Sequence, residues 1–138
     1  MLVMRRPSSP PEAPTKASAN TDNVDLERQL DDAGRAVAAA MGKALRALKI
    51  EINEVLTSPT YRALETVRFA ELLRPVQVPE LGDGGRSMQG VTEAQTAWLR
   101  STAAERPRPG GNRVIVTHQP NLARAFPDWG RRLPTARR

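Results

Sequence analysis

Between the loop Pro107-Arg108-Pro109-Gly110-Gly111 and the segment Asn121–Phe126 lie four unbroken apolar or β-branched residues, Val114-Ile115-Val116-Thr117. A strand with one wet face alternates in polarity, so a continuous run of this kind reads as a strand covered on both faces. The rest of the chain supplies the covers. Val37, Met41, Ala44, Leu45 and Leu48 recur at three- and four-residue spacing, which predicts a helix over 32–49, capped by Asp31 or Asp32. Gly42 inside it costs ~1 kcal/mol against Ala, a loss explained if the helix packs closely on a sheet. A second helix is predicted over 60–73, with Ala63, Thr66, Val67 and Ala70 on one side. A third runs over 92–104: Thr92 to Gln95 fits a capping box, and Val91, Ala94, Trp98 and Thr102 form a stripe. Asn121 to Phe126 reads as a short fourth helix. Leu2-Val3-Met4 and Ile50 to Thr57 read as two further strands, the second stopped by Pro59. Pro75 and Pro79 bracket an extended stretch, and Gly82-Asp83-Gly84-Gly85 is a turn or loop. Strands alternating with helices imply an α/β domain with a mostly parallel sheet. Three visible strands fall short of the mean of about 5–6, so edge strands are missed or the sheet is incomplete.

The chain's 138 residues suit one domain, expected over 1–130, followed by a basic tail over 131–138 holding Arg131, Arg132, Arg137 and Arg138. Residues 7–25 are rich in Pro, Ser, Ala and Asn and read as an irregular loop. With no cysteine and a single histidine, His118, the sequence excludes disulfides and thiolate chemistry and argues against a multi-histidine metal centre. No metal and no cofactor is expected. The net charge of +6 suits anionic partners, but aromatics at 4% are too few for a single-strand stacking platform, which leaves a nucleic-acid role the weakest reading. No apolar run is long enough for a membrane span, and the apolar residues of Met1-Leu2-Val3-Met4-Arg5-Arg6 precede the basic ones, the reverse of an export signal. A cytoplasmic location is the expectation, with no membrane partner.

In parallel α/β sheets, ligands sit outside the carboxyl ends of the strands. Arg5 and Arg6 follow the first strand, Ser58 and Arg62 the second, Thr117 and His118 the third. Guanidinium forks donate paired hydrogen bonds to phosphate oxygens, so this constellation describes a phosphate pocket. The plainer alternatives are a surface ion pair of Arg62 with a neighbour such as Glu65, and a His118 that only caps the next helix.

Four stretches carry a family resemblance: Leu2-Val3-Met4-Arg5; Arg28-Gln29-Leu30-Asp31-Asp32-Ala33-Gly34-Arg35; Val55-Leu56-Thr57-Ser58-Pro59-Thr60-Tyr61-Arg62-Ala63-Leu64-Glu65-Thr66; and Val114-Ile115-Val116-Thr117-His118-Gln119-Pro120-Asn121. In this order they resemble the motifs of the histidine phosphatases, the phosphoglycerate-mutase-like superfamily, and most closely its phosphohistidine and phosphomonoester phosphatase branch. The resemblance implies a three-layer sandwich, incomplete here at both termini. It implies covalent catalysis, in which a histidine after the first strand attacks phosphorus while two arginines and a second histidine hold the oxygens. Arg5, Arg62 and His118 match the phosphate-binding groups. Glu80 is the candidate general acid and Asp83 the alternative. Arg6 stands at the position of the nucleophile, and a guanidinium has no free lone pair to attack with. The resemblance therefore implies a phosphoric monoester or phosphohistidine hydrolase impaired at its first step. The alternative is a non-catalytic pseudoenzyme that binds a phosphorylated small molecule or phosphoprotein.

Overall fold

The computed structural model describes residues 2–84 and 90–129 of the chain; the predicted basic tail lies outside them. Its strands are β1 (Leu2–Arg5), β2 (Ile52–Thr57), β3 (Val76–Gln77) and β4 (Asn112–Thr117), in the spatial order β1-β4-β2-β3. Every pairing is parallel. β4 holds the centre, with Val114, Ile115, Val116 and Thr117 all at 0% exposure, as an unbroken β-branched run requires. The fourth strand, β3, is two exposed residues in the stretch between Pro75 and Pro79, too short to leave a periodic signal.

The helices are α1 (Asp32–Ala47), α2 (Tyr61–Phe69), α3 (Glu93–Ala104) and α4 (Gln119–Ala125). Alternation along the strands divides the core in two. Val55, Val114 and Val116 meet Ala63 and Val67 of α2, with Leu2, Met4 and Ile52 packed against them. On the other face Leu56 and Ile115 meet Leu81, Leu99 of α3 and Ala125 of α4. The three layers are thus helix, sheet and helix. Among the described residues, no helix is long and apolar enough to cross a membrane, and no group of three or more His, Asp or Glu side chains could hold a metal ion.

Two predicted faces need correction. Val37, Ala44 and Leu48 of the α1 stripe are exposed, and the buried residues are Gly34, Ala38 and Gly42. α1 packs on α2 rather than on the sheet, at backbone distance. A Cβ on Gly42 would stand 1.9 Å from the Ala70 carbonyl oxygen, so only glycine fits this crossing. In α3 the buried residues are Thr96, Leu99 and Thr102, while Ala94 is exposed. The capping box itself is formed as read, with Thr92 and Gln95 bonding each other's backbone.

The segment 28–34 joins the 7–25 loop to α1. Arg28 donates from Nε to the Pro10 carbonyl (2.8 Å) and from Nη2 to Ser9 Oγ (3.2 Å). Leu30 is fully buried. Asp31 caps α1 by accepting from Gly34 N (2.6 Å) and also from Ser8 Oγ (2.7 Å). These bonds, that from Ser8 first, hold its carboxyl below the usual carboxylate range. Gly34 admits the Ser8 carbonyl, which would meet a Cβ at 2.2 Å. The irregular 7–25 loop is therefore stapled to the start of α1.

Candidate functional site

Parallel pairing aligns the carboxyl ends of β1, β4 and β2, and the ladder continues one residue past each. Arg6 N donates to Thr117 O and Ser58 N to Val116 O, both at 3.0 Å. This sets Arg6, His118 and Ser58 side by side at one edge of the sheet. Arg62 enters from the first turn of α2, 6% exposed. Arg5 points to solvent instead: the strand that turns Arg6 inward leaves its neighbour exposed, and Arg5 acts on the cluster only as a nearby charge.

Among the described residues, the carboxylate that meets this cluster is Asp83. Its Oδ2 accepts from Arg62 Nη2 at 2.6 Å and lies 3.7 Å from His118 Nδ1. Glu80 sits in the 3-10 turn Pro79–Leu81, where its carbonyl accepts from Gln95 Nε2 at 3.2 Å. Three side chains pin the turn that carries Asp83. Thr117 Oγ1 donates to Leu81 O, and Gln95 Nε2 and Asn121 Nδ2 both donate to Gly82 O, each at 2.8 Å. None of these three roles was read from the sequence. The capping-box glutamine and the asparagine three residues after His118 were visible, but nothing local says which carbonyl they reach.

His118 is 1% exposed, with Nε2 2.9 Å from Ser58 Oγ and 3.3 Å from Thr60 Oγ1. Burial pushes its pKa down to about 4. The Asp83 carboxylate opposes this shift, and Arg62, Arg6 and Arg28 reinforce it. The imidazole is therefore neutral at pH 7. Burial also lowers Arg6, to about 10, helped by the charges of Arg62, Arg28 and Arg5, so that it remains a cation near neutrality. Arg62 is lowered by burial as well, against the attraction of Asp83. Arg6 Nε, Arg62 Nε and His118 Nδ1 are buried without a hydrogen-bond partner. An anion can satisfy buried N–H groups such as these, because a buried polar group left unpaired is costly.

Arg62 does not pair with Glu65. That carboxylate, 1% exposed, accepts from Leu30 N (2.7 Å) and Asn20 Nδ2 (2.9 Å) and lies 3.5 Å from Arg35 Nε. It anchors the 20–30 segment to α2 and leaves Arg62 to the cleft.

No family model matches the sequence, and no curated protein matches it. Solved structures do. The protein histidine phosphatase SixA complexed with tungstate superposes with a TM-score of 0.60 and 22% identity, over 89% of this chain and 71% of that one. A phosphohistidine phosphatase SixA from Nakamurella multipartitia gives 0.57 and 19%, over 88% of this chain; the chain spans 60% of that protein, less than two thirds. A mycobacterial glucosyl-3-phosphoglycerate phosphatase gives 0.51 and 16%, over 89% and 75%. With the all-parallel sheet and its two helical layers, these likenesses establish that the chain has the fold of the histidine phosphatase superfamily.

Proposed function

We propose that the cleft binds a phosphoryl group carried by a phosphorylated small molecule or phosphoprotein, and that hydrolysis is impaired because Arg6 stands where an attacking imidazole is needed. The observation that carries this reading is that Arg6, Arg62 and His118, from three separate segments, each hold a buried side-chain nitrogen without a partner, with both arginines acting electrostatically on His118. In it Arg62 and Arg6 hold the equatorial oxygens with charge-assisted hydrogen bonds, and His118 donates from Nδ1 while Ser58 fixes the ring through Nε2. Asp83, rather than Glu80, is the carboxyl that reaches the leaving oxygen, since it is the one in contact with Arg62 and His118. Arg5 adds charge and no direct bond. The structural neighbours support the phosphoryl ligand: two bear the name of phosphohistidine or protein histidine phosphatases, one with tungstate bound.

A positive pocket binds phosphate without lowering the barrier to a covalent step it cannot begin. Arg6 is cationic near neutrality and offers phosphorus no lone pair. His118 is neutral but is held from the side by Ser58 and Thr60. The test is calorimetric titration of the full chain with tungstate, beside aryl phosphate turnover by the chain and its Arg6→His variant. Saturable tungstate binding that Arg62→Gln abolishes, background turnover of the chain, and a gain in the variant are the expected results. Absence of saturable anion binding would overturn the reading. Turnover by the unaltered chain as fast as by Arg6→His, lost in His118→Ala, would show that the nucleophile is misassigned.

A further inference from the structure

Beside the phosphoryl site a groove of about 880 Å³ opens between the 11–13 and 25–28 segments, with Arg62 and Asp83 at its floor. That volume lies in the upper part of the ~300–1,000 Å³ range of ligand sites. Its two ends have opposite character. The floor has Arg62, whose Nε is buried and unpartnered, and Arg28 and Arg6 act electrostatically on Arg62 and His118 from close by. The walls carry Glu12, Asp25 and Glu27, all exposed. Glu27 is close enough to favour the charged form of Arg62. Arg28 also lines the groove, but its guanidinium is bonded to Pro10 O and Ser9 Oγ rather than to these carboxylates.

A groove whose floor holds Arg62, paired with Asp83 but with its Nε unpartnered, and whose walls carry three further carboxylates fits a ligand that is anionic at one point and cationic beside it. We infer that the groove takes a phosphorylated polypeptide with lysine or arginine next to the phosphorylated residue, its phosphate on Arg62 and its basic side chains against Glu12, Asp25 and Glu27. A small phosphate ester that carries a second carboxylate or phosphate is disfavoured, because its remote charge faces those three carboxylates. This deepens the proposed function and rests on it.

The preference runs against the protein's overall charge. At a net +6, general attraction draws acidic peptides more strongly than basic ones. The experiment is fluorescence anisotropy at fixed ionic strength. It uses two phosphoserine peptides of equal length, one flanked by lysines and one by glutamates, with the unphosphorylated lysine peptide as control and tungstate titrated in parallel. The lysine-flanked phosphopeptide should bind at least tenfold tighter than the glutamate-flanked one. The combined variant Glu12→Gln, Asp25→Asn, Glu27→Gln should erase that ratio while leaving tungstate affinity within about twofold. Equal binding of both peptides, or a preference for the acidic one, overturns the inference while tungstate binding keeps the phosphoryl site standing. Equal binding of the unphosphorylated lysine peptide also overturns it. If tungstate itself fails to bind, the phosphoryl site and the inference fall together.

Discussion

Lowering the pH from 7.5 to 4 forces a choice on a histidine that is 1% exposed and faces three arginines. In the unfolded chain His118 gains its proton near the ordinary value of 6.5, whereas in the fold it resists protonation down to about 4. Between those values the unfolded state binds a proton that the native state does not, so stability rises with pH across this window. The contribution is complete above pH 6.5 and is lost as the pH falls through 4. At ~1.4 kcal/mol per pH unit it amounts to about 3 kcal/mol. His118 is the chain's only histidine, which makes the assay clean. Urea unfolding of the chain and of His118→Gln, at pH steps from 7.5 to 4, should give curves that converge on acidification, with the titration of carboxylates remote from His118 cancelling in the difference. The single imidazole resonance in a proton–carbon spectrum should show a midpoint well below 6, and saturating tungstate should move it upward as an anion takes its place beside the ring. Parallel stability curves, or a midpoint at 6.5 in the free protein, would refute both the burial and the clustering of the arginines.

Glu65→Ala should destabilise the fold by about 3–5 kcal/mol, because it strands Leu30 N–H, the Asn20 amide and the partly buried Arg35 together; Glu65→Gln, which keeps an acceptor for Leu30, should lose only about 1–3 kcal/mol in the same denaturant assay. Gly42→Ala, worth ~1 kcal/mol in favour on an open helix, should instead lower the thermal midpoint, since its Cβ must displace the Ala70 carbonyl; a rise would mean that α1 and α2 do not cross this closely.

Val114 to Thr117 told that this strand is covered on both faces, and the alternation of strands with helices told that the sheet is parallel; that β4 is its centre was not legible. Helix positions followed from spacing and caps. The buried face of α1 did not, since the pattern sought was an apolar stripe. The buried face instead consists of Gly34, Ala38 and Gly42, with Gly42 at the close crossing on α2, and it leaves Val37 and Leu48 in solvent. The positions of Arg6 and His118 just past strand ends, and of Arg62 in the first turn of α2, were legible in the sequence. The arrival of Asp83 was not: it depends on side chains of β4, α3 and α4 donating to the carbonyls of Leu81 and Gly82, bonds that join residues distant in sequence and leave no local trace.

The sheet order has a consequence for how the protein is made. Leu2 pairs with Val114, and Arg6 closes on Thr117, so the strand synthesised early has no partner until β4 has left the ribosome. β2 waits as well, with only the two-residue β3 to pair with in the meantime. Contacts this remote close slowly, because the chain entropy of the intervening loop is lost before any pairing offsets it. Arg6, Arg62 and His118 come together in the same late event that gives the sheet its centre, and until then Leu2-Val3-Met4 is an apolar strand open to chaperones or to a neighbouring nascent chain.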